Sequence, residues 1–183
     1  ALFANDNWRS HRTWGVSAML PWDQCDFWKR VVQTGPLENK AKFADLKCPG
    51  IVPDRFLSDS QYIYDPGDSK SFAPTAAGKA FLRWNMPDCA FIGGAADALT
   101  SKDHIYSPGG EVKKSLVIIN DRRQKQKVKW AWTLRQGEKN IDEDKGSAKV
   151  DAGGRTVLPV KFRIPSDTMD GSKYLLSAKF DFE

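Results

Sequence analysis

The chain is poor in the residues on which most metal and nucleophilic chemistry depends. Histidine occurs twice, at His11 and His104, and cysteine three times, at Cys25, Cys48 and Cys89. The histidines stand far apart, neither has a ligand or nucleophilic partner at motif spacing, and no CxxC pair occurs. These spacings argue against a zinc site and against a disulfide-dense scaffold. Three buried thiols are the expectation, with one disulfide and one free thiol as the alternative. No metal and no cofactor is expected. Long apolar runs are missing too. Nothing approaches the ~20 residues that a membrane-crossing helix needs, so no membrane partner is expected. The opening ALFANDNWRSHRTW lacks the charged-then-apolar pattern of a signal peptide. A mature or trimmed chain would lack it as well. Location stays open, with secretion or the periplasm favoured over the cytoplasm.

The 183 residues suffice for one large domain or two small ones. Hydrophobic content of 40% and charged content of 28% are ordinary for a globular protein. The net charge of +5 is unevenly placed: residues 1–98 are balanced, and the excess lies in residues 99–183. Much of it is in Arg122 to Lys129, RRQKQKVK. Such a run can meet nucleic acid or an acidic surface. It can equally be a solvated turn and strand edge, where lysine discourages pairing between sheets. The run lacks interleaved aromatics and leads into a strand with a core pattern, so no nucleic-acid partner is expected.

Along the chain, residues 3–13 (FANDNWRSHRT) predict a helix that Gly15 ends. Val16 to Leu20 reads as a buried strand stopped by Pro21, and Asp23 to Val32 as a short helix. Helix, strand and helix together make one step of an α/β protein. Residues 33–90 are rich in Pro, Gly, Asp and Ser, with a short strand expected at 60–64, a helix at 75–85 and a strand at 87–94. From Thr100 the texture becomes period-two alternation. Leu116 to Ile119 is a buried strand. Val128, Trp130, Trp132 and Leu134 alternate with polar or small residues. Gly137 to Asp144 reads as a polar loop. Further strands are expected at 148–152, 156–164 and 174–182. Four or five antiparallel strands point to a β-sandwich of immunoglobulin type, which usually needs ~7 strands, with Trp130 and Trp132 in its core. A final strand would then be absent or supplied by another chain.

Two stretches carry a family resemblance. NWRSHRTWGVSAMLPWD resembles the last full helix and the eighth strand, with its terminal Trp, of a clan-A glycoside hydrolase barrel, of the beta-galactosidase and beta-glucuronidase kind. FLRWNMPDCAFIGG followed by SKDHIYSPGGEVKKSLVIIND resembles the exit from that barrel into an immunoglobulin-like domain. The resemblance implies an α/β plus all-β fold. Residues 1–98 would be the C-terminal part of a (β/α)8 barrel with a long loop segment, and residues 99–183 an immunoglobulin-like antiparallel β-sandwich. It also implies hydrolysis of β-linked, galactoside-like carbohydrate. Retaining glycosidases use two carboxylates ~5–5.5 Å apart, which in this clan are glutamates ending the fourth and seventh barrel strands. The five glutamates here, Glu38, Glu111, Glu138, Glu143 and Glu183, do not end apolar strands of that kind. The expectation is therefore a fragment or subunit that is inactive alone. Its catalytic glutamates would lie in another chain holding the N-terminal part of the barrel.

The candidate substrate-binding residues follow from that placement. Trp22 would offer an indole face to the C–H face of a sugar, at the strand end where barrel active sites lie. The alternative is a core residue capping the barrel. Asp23 would bond sugar hydroxyls or cap the next helix. Asn7 and Arg12, with Arg9, would reach the site or serve pairing between elements. Tyr62, Tyr64 and Trp84 would line a cleft or anchor the long loop. Two readings of function from different classes remain beside the hydrolase fragment. One is a non-catalytic carbohydrate-binding or structural β-sandwich module. The other is nucleic-acid binding through residues 122–129.

Overall fold

The computed structural model of the chain describes residues 2–16, 27–30 and 72–183. They belong to two compact units: residues 6–16 with 83–183, and residues 2–5 with 27–30 and 72–82. The elements in chain order are α1 (Leu2–Thr13), β1 (Trp28–Arg30), β2 (Phe72–Pro74), α2 (Ala76–Trp84), β3 (Asp88–Gly93), β4 (Glu111–Asn120), β5 (Gln126–Gln136), β6 (Lys139–Val150), β7 (Gly154–Arg163) and β8 (Leu175–Phe182).

In the unit holding residues 27–30 and 72–82, β1 pairs antiparallel with β2, Lys29 opposite Ala73. The helix expected over 23–32 is thus corrected in its described part. Phe27 and Trp28 are aromatics that suit a pleated strand, and pairing with β2 satisfies the backbone there. The start of α2 is set by Thr75, whose Oγ1 accepts the Gly78 N–H at 3.2 Å, an N-cap bond. A side chain at position 78 would put its Cβ 2.0 Å from the Phe27 carbonyl oxygen, so only glycine lets α2 approach this closely. The Phe27 and Phe81 rings then pack with centroids 5.3 Å apart.

In the other unit, α1 ends as its sequence predicts. Gly15 adopts φ 75°, its N–H reaches the Arg12 carbonyl, and the Val16 N–H reaches the His11 carbonyl at 2.9 Å. That pair of bonds is a Schellman cap. Six antiparallel strands follow in two three-stranded sheets, ordered β3-β4-β7 and β6-β5-β8. Their inner faces share a core. Val112 and Leu116 of β4 and Val160 and Phe162 of β7 meet Trp132 and Leu134 of β5. The Trp132 and Phe162 rings lie 6.1 Å apart across the two sheets. Trp130 is half-buried beside Trp132, against Gly146 on the neighbouring strand.

The run Ser115 to Asn120 is buried on both faces of its sheet. Leu116 and Ile118 point into the core clusters. Val117 and Ile119 alternate to the opposite face, level with Phe91 and Cys89 of β3. That outer face is covered: Trp84 meets Phe91 edge-on at 5.4 Å, and the Arg9 guanidinium of α1 stands 5.4 Å from the Phe91 ring. Double coverage explains why this stretch reads as a continuous apolar run and not as an alternation.

The barrel expectation is overturned. Every strand pair among the described residues is antiparallel, and only two helices are present among them. A (β/α)8 unit needs parallel strands joined through a helix, and none is seen. Val16, expected to open the eighth barrel strand, is 48% exposed and follows the cap of α1 outside any strand. Residues 17–20 and 60–64 lie outside the described residues. The resemblance to clan-A glycoside hydrolases falls with the barrel, because FLRWNMPDCAFIGG does not exit one. Its DCAFIG portion is an edge strand of the sandwich, paired with β4. The four or five strands expected after residue 100 are five, β4 to β8, and β3, expected on the barrel side of residue 99, joins them, giving two sheets of three among the described residues. The polar loop expected over 137–144 shrinks to a turn at Gly137 and Glu138, with β6 starting at Lys139. That strand looked like a loop because it is an edge, and its charged residues are all exposed.

Candidate functional site

One end of the sandwich holds a cavity of about 600 Å³, within the range of small-molecule sites. Its walls come from the last residues of β3, the first of β4 and β8, the last of β7, and the segments 101–108 and 168–174. The two segments are fixed at their bases. Ile164 and the Gly109–Gly110 turn exchange backbone bonds at 3.0 Å in each direction. Gly109 takes φ 72° in this turn, a conformation that glycine adopts without strain. Thr168 Oγ1 and Tyr174 Oη bond at 2.7 Å and brace the second segment.

Two tyrosines, Tyr106 and Tyr174, line this cavity, their hydroxyls engaged with the Asp103 carbonyl and Thr168 Oγ1. Ser101 and Thr168 add hydroxyls, and Val112, Leu134 and Phe162 form an apolar floor. Between floor and rim stands Lys114. It occupies the inward register of β4, two residues from Val112 and two from Leu116, and is 8% exposed. Its ammonium donates to the Asp103 carbonyl and sits 5.6 Å from the Tyr106 ring centroid. Tyr106 Oη donates to the same carbonyl at 2.7 Å. No ion pair among the described residues includes Lys114, although its neighbour Lys113 pairs with Glu111 at 3.1 Å.

The charge of the lining is one-sided. Arg9, Lys102, Lys114 and Lys173 face a single carboxylate, Asp170. Asp6, outside the lining, takes Arg9 at 3.2 Å and also Lys102. None of Glu111, Glu138, Glu143 and Glu183 lines the cavity, and Glu38 lies outside the described residues. Cys89 is not a cavity residue either. It is buried, and burial pushes its thiol up to about 11 against the partial opposition of Arg12. It is therefore a thiol at neutral pH, matching an inert buried cysteine. Cys25 and Cys48 lie outside the described residues. No group of three or more His, Cys, Asp or Glu suited to a metal exists among the described residues.

The residues singled out from the sequence are scattered. Trp22, Asp23, Tyr62 and Tyr64 lie outside the described residues. Asn7 is half-buried on α1 and does not line the cavity, which α1 reaches through Arg9. Arg12 is a clamp between elements. Its Nη1 donates to the carbonyls of Trp84 and Met86, the latter at 2.6 Å, and its Nη2 meets Asp121 at 2.6 Å. Trp84 is 3% exposed and packs on Phe91. The basic run is largely paired. Arg122 grips Asp88, Lys125 faces Asp151 at 2.7 Å, and Lys127 and Lys129 both reach Glu183.

Lys114, Tyr106 and Tyr174 were missed by sequence reasoning, although a signal was present. Counting back by twos from Leu116 places Lys114 and Val112 on the core face of the same strand. A lysine there breaks the inward pattern, and the tetrad KKSL hides it because Lys113 beside it is an ordinary exposed residue.

No family model and no curated protein matches the chain. Several solved structures match part of the chain, two of them as follows. One is the Pseudomonas fluorescens alkylpurine DNA glycosylase AlkC bound to DNA containing an abasic site analog. It matches with a TM-score of 0.34 and 10% identity over 50% of this chain and 27% of that one. The other is Spo0M, a sporulation control protein from Bacillus subtilis. Its TM-score is 0.29 and its identity 15%, over 52% of this chain and 41% of that one. The match thus spans less than half the length of either structure, and neither is a glycoside hydrolase.

Proposed function

We propose that the two-sheet unit is a non-catalytic carbohydrate-binding module whose sugar site is the cavity at the end of the sandwich. The observation that carries this reading is the composition of the wall. Tyr106 and Tyr174 line it together with hydroxyl and ammonium groups and the apolar Val112, Leu134 and Phe162. Pyranose rings present both needs at once, C–H faces for an aromatic and hydroxyls for polar groups. Glycoside hydrolysis by the common routes needs two carboxyl groups flanking the scissile bond. The lining holds one carboxylate, Asp170, which is exposed. Binding without turnover is what such a wall supports.

The test is binding to a glycan array, followed by titration calorimetry on the strongest glycan. Tyr174→Ala is expected to weaken binding by about tenfold or more, the scale of a lost aromatic anchor. Arg123→Ala, at an exposed position away from the cavity, is expected to leave it unchanged. Absence of binding to any glycan, or equal binding by Tyr174→Ala, would refute the module reading.

A further inference from the structure

Resting on the module reading, we propose that the cavity selects an acidic sugar, with the carboxylate of a hexuronic acid residue seated on Lys114 Nζ. An ammonium carries three N–H donors. In this protein one goes to the Asp103 carbonyl, and no carboxylate among the described residues meets the other two. The residue is more than nine-tenths buried and forms part of the cavity wall. Buried cations are ordinarily paired, because removing a charge from water is costly unless an opposite charge answers it. Here the partner's place is the cavity itself.

The surroundings narrow the partner to an anion carried on a ring. The Tyr106 ring flanks the ammonium at 5.6 Å, and the Tyr106 hydroxyl is already held by the Asp103 carbonyl. The ring is thereby fixed beside the charge, so a ligand meets a cation and an aromatic face together. A volume of about 600 Å³ far exceeds what an inorganic anion fills, and the apolar floor of Val112, Leu134 and Phe162 gives such an ion nothing. At the rim Lys173 adds a second cation with no ion pair among the described residues, whereas Arg9 and Lys102 are already engaged with Asp6. A neutral sugar would leave Lys114 unanswered. A hexuronate residue answers it with a charge-assisted bond.

Calorimetry with the intact chain decides the matter, using digalacturonate, its methyl ester and digalactose as probes. The free acid is expected to bind at least about tenfold more tightly than the ester or the neutral disaccharide, a difference of about 1.4 kcal/mol. Lys114→Met is expected to abolish that preference, lowering the affinity for the free acid at least about tenfold to that of the ester. The ester comparison needs no variant, so it decides the question even if Lys114→Met does not fold. Equal binding of acid, ester and neutral sugar by the wild-type chain overturns the acidic preference and leaves the module reading standing. Binding of none of the three, with glycan-array binding also absent, overturns both. Competition by inorganic phosphate at the same concentration as the free acid would show an anion site without sugar selectivity, and would overturn the hexuronate assignment.

Discussion

Replacing Arg12 by methionine separates a structural role from a ligand-binding one. The Arg12 side chain is 11% exposed, while the Asp121 carboxylate it meets is 54% exposed. Its Nη1 serves two backbone carbonyls, those of Trp84 and Met86, in the segment that leads from α2 into β3. Methionine keeps the apolar stem and removes all three bonds. Hydrogen bonds from a charged donor are worth ~1.5–3 kcal/mol each when a partner is deleted. The Met86 bond lies in the open and belongs at or below the lower end of that range. The ion pair with Asp121 is solvent-screened and adds under ~1 kcal/mol. Because the three bonds share one guanidinium they do not add fully, and the expected loss is about 3 kcal/mol. Lysine restores a charge but not the planar fork, so Arg12→Lys should recover about 1 kcal/mol at most. Urea unfolding with unchanged m-values reads both numbers. A loss below about 0.5 kcal/mol for Arg12→Met, the range of an ordinary surface change, would refute the clamp. So would a large loss of sugar affinity at unchanged stability, which would return Arg12 to a binding role.

Three further outcomes are expected. Asn120 is fully buried, donates to the carbonyls of Gln124, Val150 and Asp151, and accepts the Arg122 N–H at 3.0 Å. Asn120→Ala should therefore cost ~2–4 kcal/mol in denaturant unfolding, and Asn120→Asp should be no better because a carboxylate cannot donate; a loss under about 1 kcal/mol would be inconsistent with this hub. The Cys89 thiol is raised to about 11 by burial. The unfolded chain then ionises first, so the stability this thiol contributes is fully present below its ordinary pKa near 9 and is lost as pH rises toward 11. Measured as the difference between wild type and Cys89→Ala, the fall should reach about 2 kcal/mol at pH 11, and parallel curves for the two proteins would contradict it. Lys114→Met should change stability by less than about 1 kcal/mol in either direction, because Tyr106 continues to satisfy the Asp103 carbonyl. A loss above about 2 kcal/mol in thermal or urea unfolding would make Lys114 a structural residue.

The strands of the second half were legible because their chemistry is local. Val128, Trp132 and Leu134 are buried at alternate positions, as a strand with one core face requires. The end of α1 was legible for the same reason, since Gly15 supplies the left-handed residue of the cap. What failed was the assembly of elements. A helix followed by an apolar run fits a βα-barrel step in sequence, but strand direction is set by pairing across the sheet, and every pairing found is antiparallel. The FWKR stretch was misread because aromatics at helical spacing also suit a strand, and β1 has a partner in β2 more than forty residues away. The stretch 139–147 of β6 escapes a search for alternation because, Ile141 apart, it is exposed on both faces. The candidate site depended on long-range geometry still more. Tyr106, Lys114 and Tyr174 come from three segments that only the two-sheet arrangement brings together.

β4 serves both the core and the site, and its two halves show how one strand can do so. From Ser115 onward it is sealed on both faces, and Leu116 through Ile118 are at most 1% exposed. Two residues before Leu116, on the same face, the core opens into the cavity and a lysine occupies the inward register. Lys114 is paired with Val160 of β7, and the pairing of β4 with β3 ends at its neighbour Ser115. Its root is therefore as fixed as any core residue, and the ring of Tyr106 limits where the ammonium can go. A cation mounted this way has already lost much of the freedom that a surface lysine gives up when it binds an anion. Lys173 at the rim has no such mounting. The selectivity for a carboxylate should accordingly reside in Lys114, with Lys173 contributing mainly to the rate of encounter and its dependence on salt. Lys173→Met is then expected to lower the association rate at low ionic strength and to leave the preference for acid over ester intact. A variant that lost that preference with Lys114 in place would move the recognising charge to the rim.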